Sequence, residues 1–168
     1  MRNSLSLNIN KKLQWRMIED INWNYLCKCY GGNNHDLKSD RTYKTAYDMV
    51  GEYCLNNYTK YETILLYNFI VEKRNEIKKV IMDSYDEIKE KVYLSDDLLW
   101  DLAAHIIGLG ESMYELVKND PKVVISIAPN MVENFEYGFT KAIYEYQIRY
   151  EEKLSMKEKE NTETVNNI

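Results

Sequence analysis

The chain has 168 residues, of which 45% are hydrophobic and 29% are charged, and these are the proportions of a soluble folded protein. They argue against disorder along the whole chain, and the scarcity of Gly (6) and Pro (2) argues against a fibrous protein. Asp and Glu (27) outnumber Lys and Arg (22), giving a formal net charge of −5, which makes nucleic acid an unfavourable partner.

Helical periodicity predicts the elements of the first half of the chain. Apolar residues spaced by four (Leu13, Met17, Ile21) predict a first helix from about Lys11 to Cys29. The Gly- and Asn-rich run at 31–34 predicts a loop. Asp40 is the expected N-cap of a second helix that ends near Asn56-Asn57.

Thr59 is the expected cap of a long, amphipathic third helix. Its apolar positions continue to about Val92, which exceeds the usual length of a globular helix, so we expect a break near Asp83-Ser84.

Ser95-Asp96-Asp97 is the strongest helix start in the sequence, because it combines a capping side chain with acidic residues in the first turn. The apolar stripe that follows, Leu98 to Leu116, predicts a central buried helix at about 96–117. Lys122 to Ala128 is the only β-like run, too short to be distinguished from a helical turn.

Asn130 is the expected cap of the last helix. The sequence therefore predicts an all-α fold: a compact bundle of five or six helices in a single domain, residues 1–154. The polar residues 155–168 are expected to form a disordered tail.

The compartment expected from the sequence is the cytoplasm, or the host cytoplasm if the protein is of phage or viral origin. Met1–Asn10 lacks the features of a secretory signal, and no window reaches the ~20 apolar residues of a membrane span. The cysteines (Cys27, Cys29, Cys54) are odd in number, which argues against a disulfide framework.

Cys27 and Cys29, with His35 and Asp36 nearby, form the only cluster of metal-ligand types. Residues two apart on a helix point about 200° away from each other, and a second cysteine pair is absent. We therefore expect no metal site, and no motif indicates a cofactor.

His105 lies on an otherwise apolar helix, with Asp101 one turn before it and Ser112 seven residues after it. Imidazole is a natural general base near pH 7, and Asp101 could orient it. A buried structural histidine is the more common case, so catalysis by His105 and Asp101 is kept as the alternative hypothesis.

Gly108-Leu109-Gly110 is a lone G-x-G without the context of a dinucleotide or phosphate loop. Glycine inside a helix costs ~1 kcal/mol, so two in three residues indicate a purpose. Close approach of a neighbouring helix is favoured over ligand binding, and a kink that opens a groove also fits.

Fifteen tyrosines against three phenylalanines indicate either an interface or biased codon use. The candidate partner-binding residues lie on and just before the last predicted helix: Tyr137, Tyr144, Tyr146, Tyr150, Glu133 and Glu136.

Residues 95–146 resemble an uncharacterised bacterial domain family that is associated with WGR domains. The matching positions include an Asp-rich helix start, an Ile-Gly step, a Tyr-Glu pair, an Asp-Pro turn and a final Glu-x-x-x-Tyr: Asp96, Asp97, Ile107, Gly110, Tyr114, Glu115, Asp120, Pro121, Glu133 and Tyr137. The aromatic and Arg-containing core of that family is not reproduced in this chain. The resemblance implies a helical fold and no established chemistry.

The apolar stretch Ala104–Tyr114 is also similar to the central helix of viral Bcl-2-like bundles. The Asn-Trp-Gly-Arg signature of that family is missing, since Asn22-Trp23-Asn24 supplies two of its letters in another helix.

The leading functional hypothesis is a non-catalytic protein that binds another protein, such as an immunity protein, an antagonist from a phage or virus, or an accessory subunit. An acidic, Tyr-rich surface suits a partner with a basic binding face, and a homodimer stays open. The alternative is a hydrolase or transferase with a site at Asp101 and His105. A third hypothesis, nucleic-acid binding, would use basic residues of the third helix: Lys73, Arg74, Lys78 and Lys79.

Overall fold

The structure is a computed structural model that describes the backbone of residues 2–30 and 44–165 and the side chains of 11–30 and 44–151. Within these ranges the chain forms α-helices and short 3-10 turns and no β-strand, which confirms the predicted all-α class. No helix in the described ranges combines the length and the apolar character that a membrane crossing demands.

The described ranges contain nine α-helices, five before residue 90 and four after it. The first half contains α1 (Arg2–Ile21), α2 (Trp23–Tyr30), α3 (Ala46–Asn57), α4 (Lys60–Asp83) and α5 (Tyr85–Ile88). The second half contains α6 (Asp96–Gly108), α7 (Glu111–Asn119), α8 (Val124–Ile127) and α9 (Phe135–Val165).

The single first helix predicted at 11–29 is wrong, because the chain breaks at Asn22. Asn22 has φ 55°, a left-handed conformation that asparagine tolerates better than most residues. Its carbonyl oxygen accepts the amide hydrogens of Tyr25 and Leu26 and so starts α2. The break redirects the chain and places Trp23 in the core, where it is fully buried.

The caps of α3 and α4 are two capping boxes of the same kind. Thr59 accepts from the Glu62 amide while the Glu62 carboxylate accepts from the Thr59 amide, so the predicted cap is confirmed. Thr45 and Asp48 form the equivalent pair at α3. The helix therefore begins at Ala46, and the expected cap Asp40 and loop 31–34 lie outside the described residues.

The predicted ends of α3 and α4 agree with the structure. The first ends at Asn57 and the second at Asp83, where Ser84 separates it from α5.

The central helix predicted at 96–117 is divided in two. Ser95 caps α6 as expected, its hydroxyl accepting from the Leu98 amide at 3.3 Å. Gly110, with φ +99°, then ends the run and precedes α7. An L-residue adopts that conformation only with strain, so the glycine permits the turn that the apolar stripe did not reveal. Most of the buried residues of the predicted helix lie on α6, and α7 buries Tyr114 and Val117.

The segment before α9 is a series of helical turns. The β-like run at 122–128 forms part of a 3-10 turn and α8, and Asn130 ends a second 3-10 turn. The expected cap at Asn130 is therefore wrong, since α9 begins at Phe135 after Asn134, which has φ 71°. Helix α9 extends to Val165, and the disorder expected of residues 155–168 stays a prediction.

Two glycines leave room for atoms of a neighbouring helix. A Cβ at Gly108 would lie 2.5 Å from the Trp23 ring, so this side chain of α2 lies directly on the backbone of α6. A Cβ at Gly138 would lie 2.5 Å from Val50 Cβ and 2.7 Å from the Tyr47 carbonyl oxygen, where α9 crosses α3. The close approach expected at Gly108 is thus made by a side chain of the neighbouring helix, whereas at Gly138 it involves the α3 backbone.

We expect Gly138→Ala to lower the free energy of unfolding by about 1–3 kcal/mol, because the added methyl meets backbone and a β-branched side chain that cannot move aside. Gly51→Ala is the matched control at the same crossing: its Cβ would be 3.1 Å from the Gly138 carbonyl oxygen and otherwise in ordinary contact. Urea unfolding of both variants measures the difference. An equal effect of the two substitutions would contradict the packing argument.

Candidate functional site

His105 is the acceptor for two hydrogen bonds in the protein interior. Its Nδ1 accepts from Trp23 Nε1 at 3.0 Å and from the Val132 amide at 3.3 Å. An imidazole nitrogen that accepts carries no proton, so the ring is neutral with its proton on Nε2. The side chain joins α2, α6 and the segment that leads to α9.

Burial also sets the charge of this histidine. Only 4% of His105 is exposed, and burial lowers its pKa to about 4, an effect that the Val132 hydrogen bond partly opposes. His105 is therefore uncharged at neutral pH.

The pairing of Asp101 with His105 expected from the sequence is not formed. Asp101 Oδ1 accepts from the Asn134 amide at 3.1 Å, while His105 Nδ1 is occupied by its two donors. Asn134 precedes the first turn of α9, where backbone amides lack helical partners, and the Asp101 carboxylate satisfies one of them. Ser112 lies on α7, beyond the Gly110 turn, so its helical spacing to His105 does not hold. Catalysis by Asp101 and His105 stays a prediction.

Asp101 instead lines a cavity of about 520 Å³ between three helices, which we call the α4–α6–α9 cavity. One face of α6 contributes positions spaced by three and four, and α4 and α9 supply the remaining walls. The lining residues are Tyr67, Arg74, Asp97, Trp100, Asp101, Ala104, Asn134, Glu136, Tyr137 and Thr140.

An ion pair between α4 and α9 fixes one side of the cavity. Arg74 donates from one guanidinium nitrogen to both carboxylate oxygens of Glu136, and both side chains are largely buried. The Arg74 guanidinium carbon lies 3.8 Å from the centroid of the Trp100 ring, and Lys78 Nζ lies 4.3 Å from it. Charge pairing and cation–π attraction together hold Arg74 in place.

The cavity is acidic. Its walls carry three carboxylates and one guanidinium, and that guanidinium is already paired with Glu136. Asp97 and Asp101 form no ion pair with any cation among the described side chains. Two carboxylates therefore face the cavity without a positive partner.

The predicted partner-binding residues fall into two groups. Tyr137 and Tyr144 are seven residues apart on α9, share one face, and are 61% and 63% exposed. Tyr150 and Glu133 are also exposed, although Tyr150 lies on another face of the helix. Glu136 is paired with Arg74 and is not a free surface carboxylate.

Tyr146 has a structural contact. It is half-buried, and its hydroxyl donates to the carbonyl oxygens of Cys54, at 3.1 Å, and Tyr58. These bonds tie α9 to the end of α3, and burial raises the pKa of the phenol.

The basic residues proposed for nucleic-acid binding are partly used inside the protein. Lys73 is buried and binds Glu76 at 2.6 Å and Glu72 at 3.0 Å, and Arg74 is paired with Glu136. Lys78 lies against Trp100, and of these four residues only Lys79 is exposed. The described part of α4 therefore does not present the four as a continuous basic surface.

The cysteines do not converge on a site in the described ranges. Cys54 is buried, Cys27 is half-buried and Cys29 is exposed, and burial raises the pKa of Cys27 and of Cys54 to about 12. The described side chains contain no group of three or more His, Cys, Asp or Glu that could hold a metal ion. His35 and Asp36 lie outside the described residues.

That Trp100 and Arg74 belong to one site was not predicted from the sequence. The available signal was the i, i+3, i+4, i+7 pattern of Asp97, Trp100, Asp101 and Ala104, which is a second face on α6 opposite in character to the apolar stripe. Which residues of α4 and α9 would meet that face is set by tertiary packing.

Comparison with known proteins finds no family model, no curated protein and no solved structure that matches this chain.

The buried histidine predicts a dependence of stability on pH. The pKa of His105 is about 4 in the folded protein and about 6.5 in an unfolded chain, so the unfolded state binds the proton more readily between these values. The contribution to the free energy of unfolding is fully present above pH 6.5 and is lost as the pH falls towards 4. The total loss from this group is about 3 kcal/mol.

His105→Asn is the matched variant, because its amide oxygen can accept at the position of Nδ1 and does not titrate in this range. Urea unfolding between pH 7 and 4 should show a flatter profile for the variant than for the wild type. Parallel profiles would contradict a neutral, buried His105.

Proposed function

We propose that the protein is non-catalytic and acts in the cytoplasm by binding another protein through one acidic and aromatic surface. We call this surface the α6–α9 face and define it by Asp97, Trp100, Asp101, Tyr137 and Tyr144. An immunity protein, a phage or viral antagonist and an accessory subunit are roles that such a surface would serve.

The observation that carries the proposal is the exposure of Tyr137 and Tyr144 on one face of α9, beside the α4–α6–α9 cavity. Tyrosine supplies a large rigid contact area with a polar end, and it is enriched in the centres of protein interfaces. Aromatic side chains beside a concavity are typical anchors of binding energy.

Charge supports a basic partner. The chain carries a formal net charge of −5, and Asp97 and Asp101 have no cationic partner in the described structure. Complementary charge accelerates encounter and fixes the orientation of the partner.

The face is also held rigid by the protein itself. Arg74 and Glu136 join α4 to α9, and Asp101 binds the backbone before α9. A preformed surface loses less conformational entropy on binding, which favours affinity.

The double variant Tyr137→Ser/Tyr144→Ser should lose its protein partner. The matched control is Tyr25→Ser/Tyr93→Ser, which removes a tyrosine of α2 and one of the loop before α6 that are 59% and 79% exposed. Affinity capture from extract of the native cell, with quantitative mass spectrometry, should show a stoichiometric partner of the wild type and the control. Recovery by the α9 variant should fall at least about tenfold.

Thermal unfolding of each variant verifies that the fold is retained. Equal recovery by both double variants would place the interface elsewhere. Capture of no macromolecule by the folded wild type would contradict the proposal. Recovery of only a second copy of this chain would show that the protein forms a homodimer and does not bind a different protein.

A further inference from the structure

We propose, resting on the proposed function, that the α4–α6–α9 cavity receives an arginine side chain of the partner protein. Its volume of about 520 Å³ falls within the ~300–1,000 Å³ of ligand pockets. Its walls combine carboxylates with aromatic rings, and each of these two groups matches a different property of a guanidinium.

The carboxylates of the cavity match the hydrogen-bond donors of a guanidinium. Asp97 and Asp101 lie one turn apart on α6, and both line the cavity. One oxygen of Asp101 accepts from the Asn134 amide, which leaves its second oxygen for a ligand. Carboxylates accept the parallel N–H donors of a guanidinium in short, charge-assisted bonds.

The aromatic walls of the cavity match the flat, weakly hydrated surface of a guanidinium. Tyr67, Trp100 and Tyr137 all line the cavity. A guanidinium stacks on aromatic faces, whereas the ammonium group of lysine is compact and strongly hydrated. Arg74 already packs in this manner against Trp100, with its guanidinium carbon 3.8 Å from the ring centroid. The incoming arginine therefore meets chiefly Tyr67 and Tyr137.

The charge balance disfavours an anionic ligand. The lining has a formal excess of two negative charges. Lys78 approaches Trp100 from outside the lining, and if its charge is included the excess is one negative charge. The positive charge of Arg74 is satisfied by Glu136. A phosphate or carboxylate would enter next to Asp97 and Asp101 and be repelled.

The test is a titration of the full-length, ¹⁵N-labelled protein with the peptide amide Gly-Arg-Gly, followed by NMR. Two control peptides replace the arginine, one with citrulline, which is a neutral isostere of arginine, and the other with lysine. We expect saturable shifts of the Trp100 indole N–H and of the Asn134 and Tyr137 amides with the arginine peptide. The citrulline peptide should cause none, and the lysine peptide should bind about fivefold or more weakly.

Three variants test the location. Asp97→Asn/Asp101→Asn removes the charge and retains an acceptor for the Asn134 amide, and it should weaken arginine binding about tenfold. Thr140→Trp fills the mouth of the cavity and should abolish binding. Gln147→Trp, two turns further along the exposed part of α9, is its control and should bind normally.

Shifts that map elsewhere, no saturable shifts, equal binding of the lysine peptide, or unchanged affinity of the Asp97→Asn/Asp101→Asn variant would each overturn the inference. Its failure is distinguishable from failure of the proposed function. If that aspartate variant retains the captured partner while Tyr137→Ser/Tyr144→Ser loses it, the interface stands and the arginine pocket does not.

Discussion

The fold depends on the contact of Trp23 with α6. The Trp23 ring lies on the backbone at Gly108, its indole N–H bonds to His105, and its ring packs 4.9 Å from that of Phe135. A buried indole needs a partner for its N–H, and the neutral imidazole provides it without introducing charge. Through this one side chain α2, α6 and the start of α9 are fixed relative to one another.

The same arrangement positions the α6–α9 face. His105 and Asp101 are one turn apart on α6, and each accepts a hydrogen bond from the segment that leads into α9. His105 accepts from the Val132 amide, and Asp101 accepts from the Asn134 amide. Arg74 then joins α9 to α4 through Glu136. The groups that were candidates for catalysis thus hold the start of α9 against α6, and the Arg74–Glu136 pair holds α9 against α4. The cavity between these helices is a consequence of that spacing.

Residues whose role is local were predictable from the sequence. Thr59 and Ser95 cap helices because each is followed by the residues that a cap requires, and the break at Ser84 follows from the length of the apolar pattern. Gly108 was expected to permit a close approach, since glycine is costly inside a helix without such a reason. The break at Asn22 was not predicted, and the break at Gly110 was foreseen only as the kink that also fitted the two glycines, because apolar periodicity on either side of each residue continues without interruption.

The all-α class, several helix starts and ends, and the acidic, tyrosine-rich composition could be established from the sequence, since these follow from propensity, capping and residue counts. Tertiary packing was needed to establish that Asp101 bonds to Asn134 rather than His105, that Glu136 is paired and largely buried, and that Tyr146 is half-buried while Tyr137 and Tyr144 are exposed. These partners are distant in sequence, and helical spacing specifies which residues share a face but not which other helix that face meets.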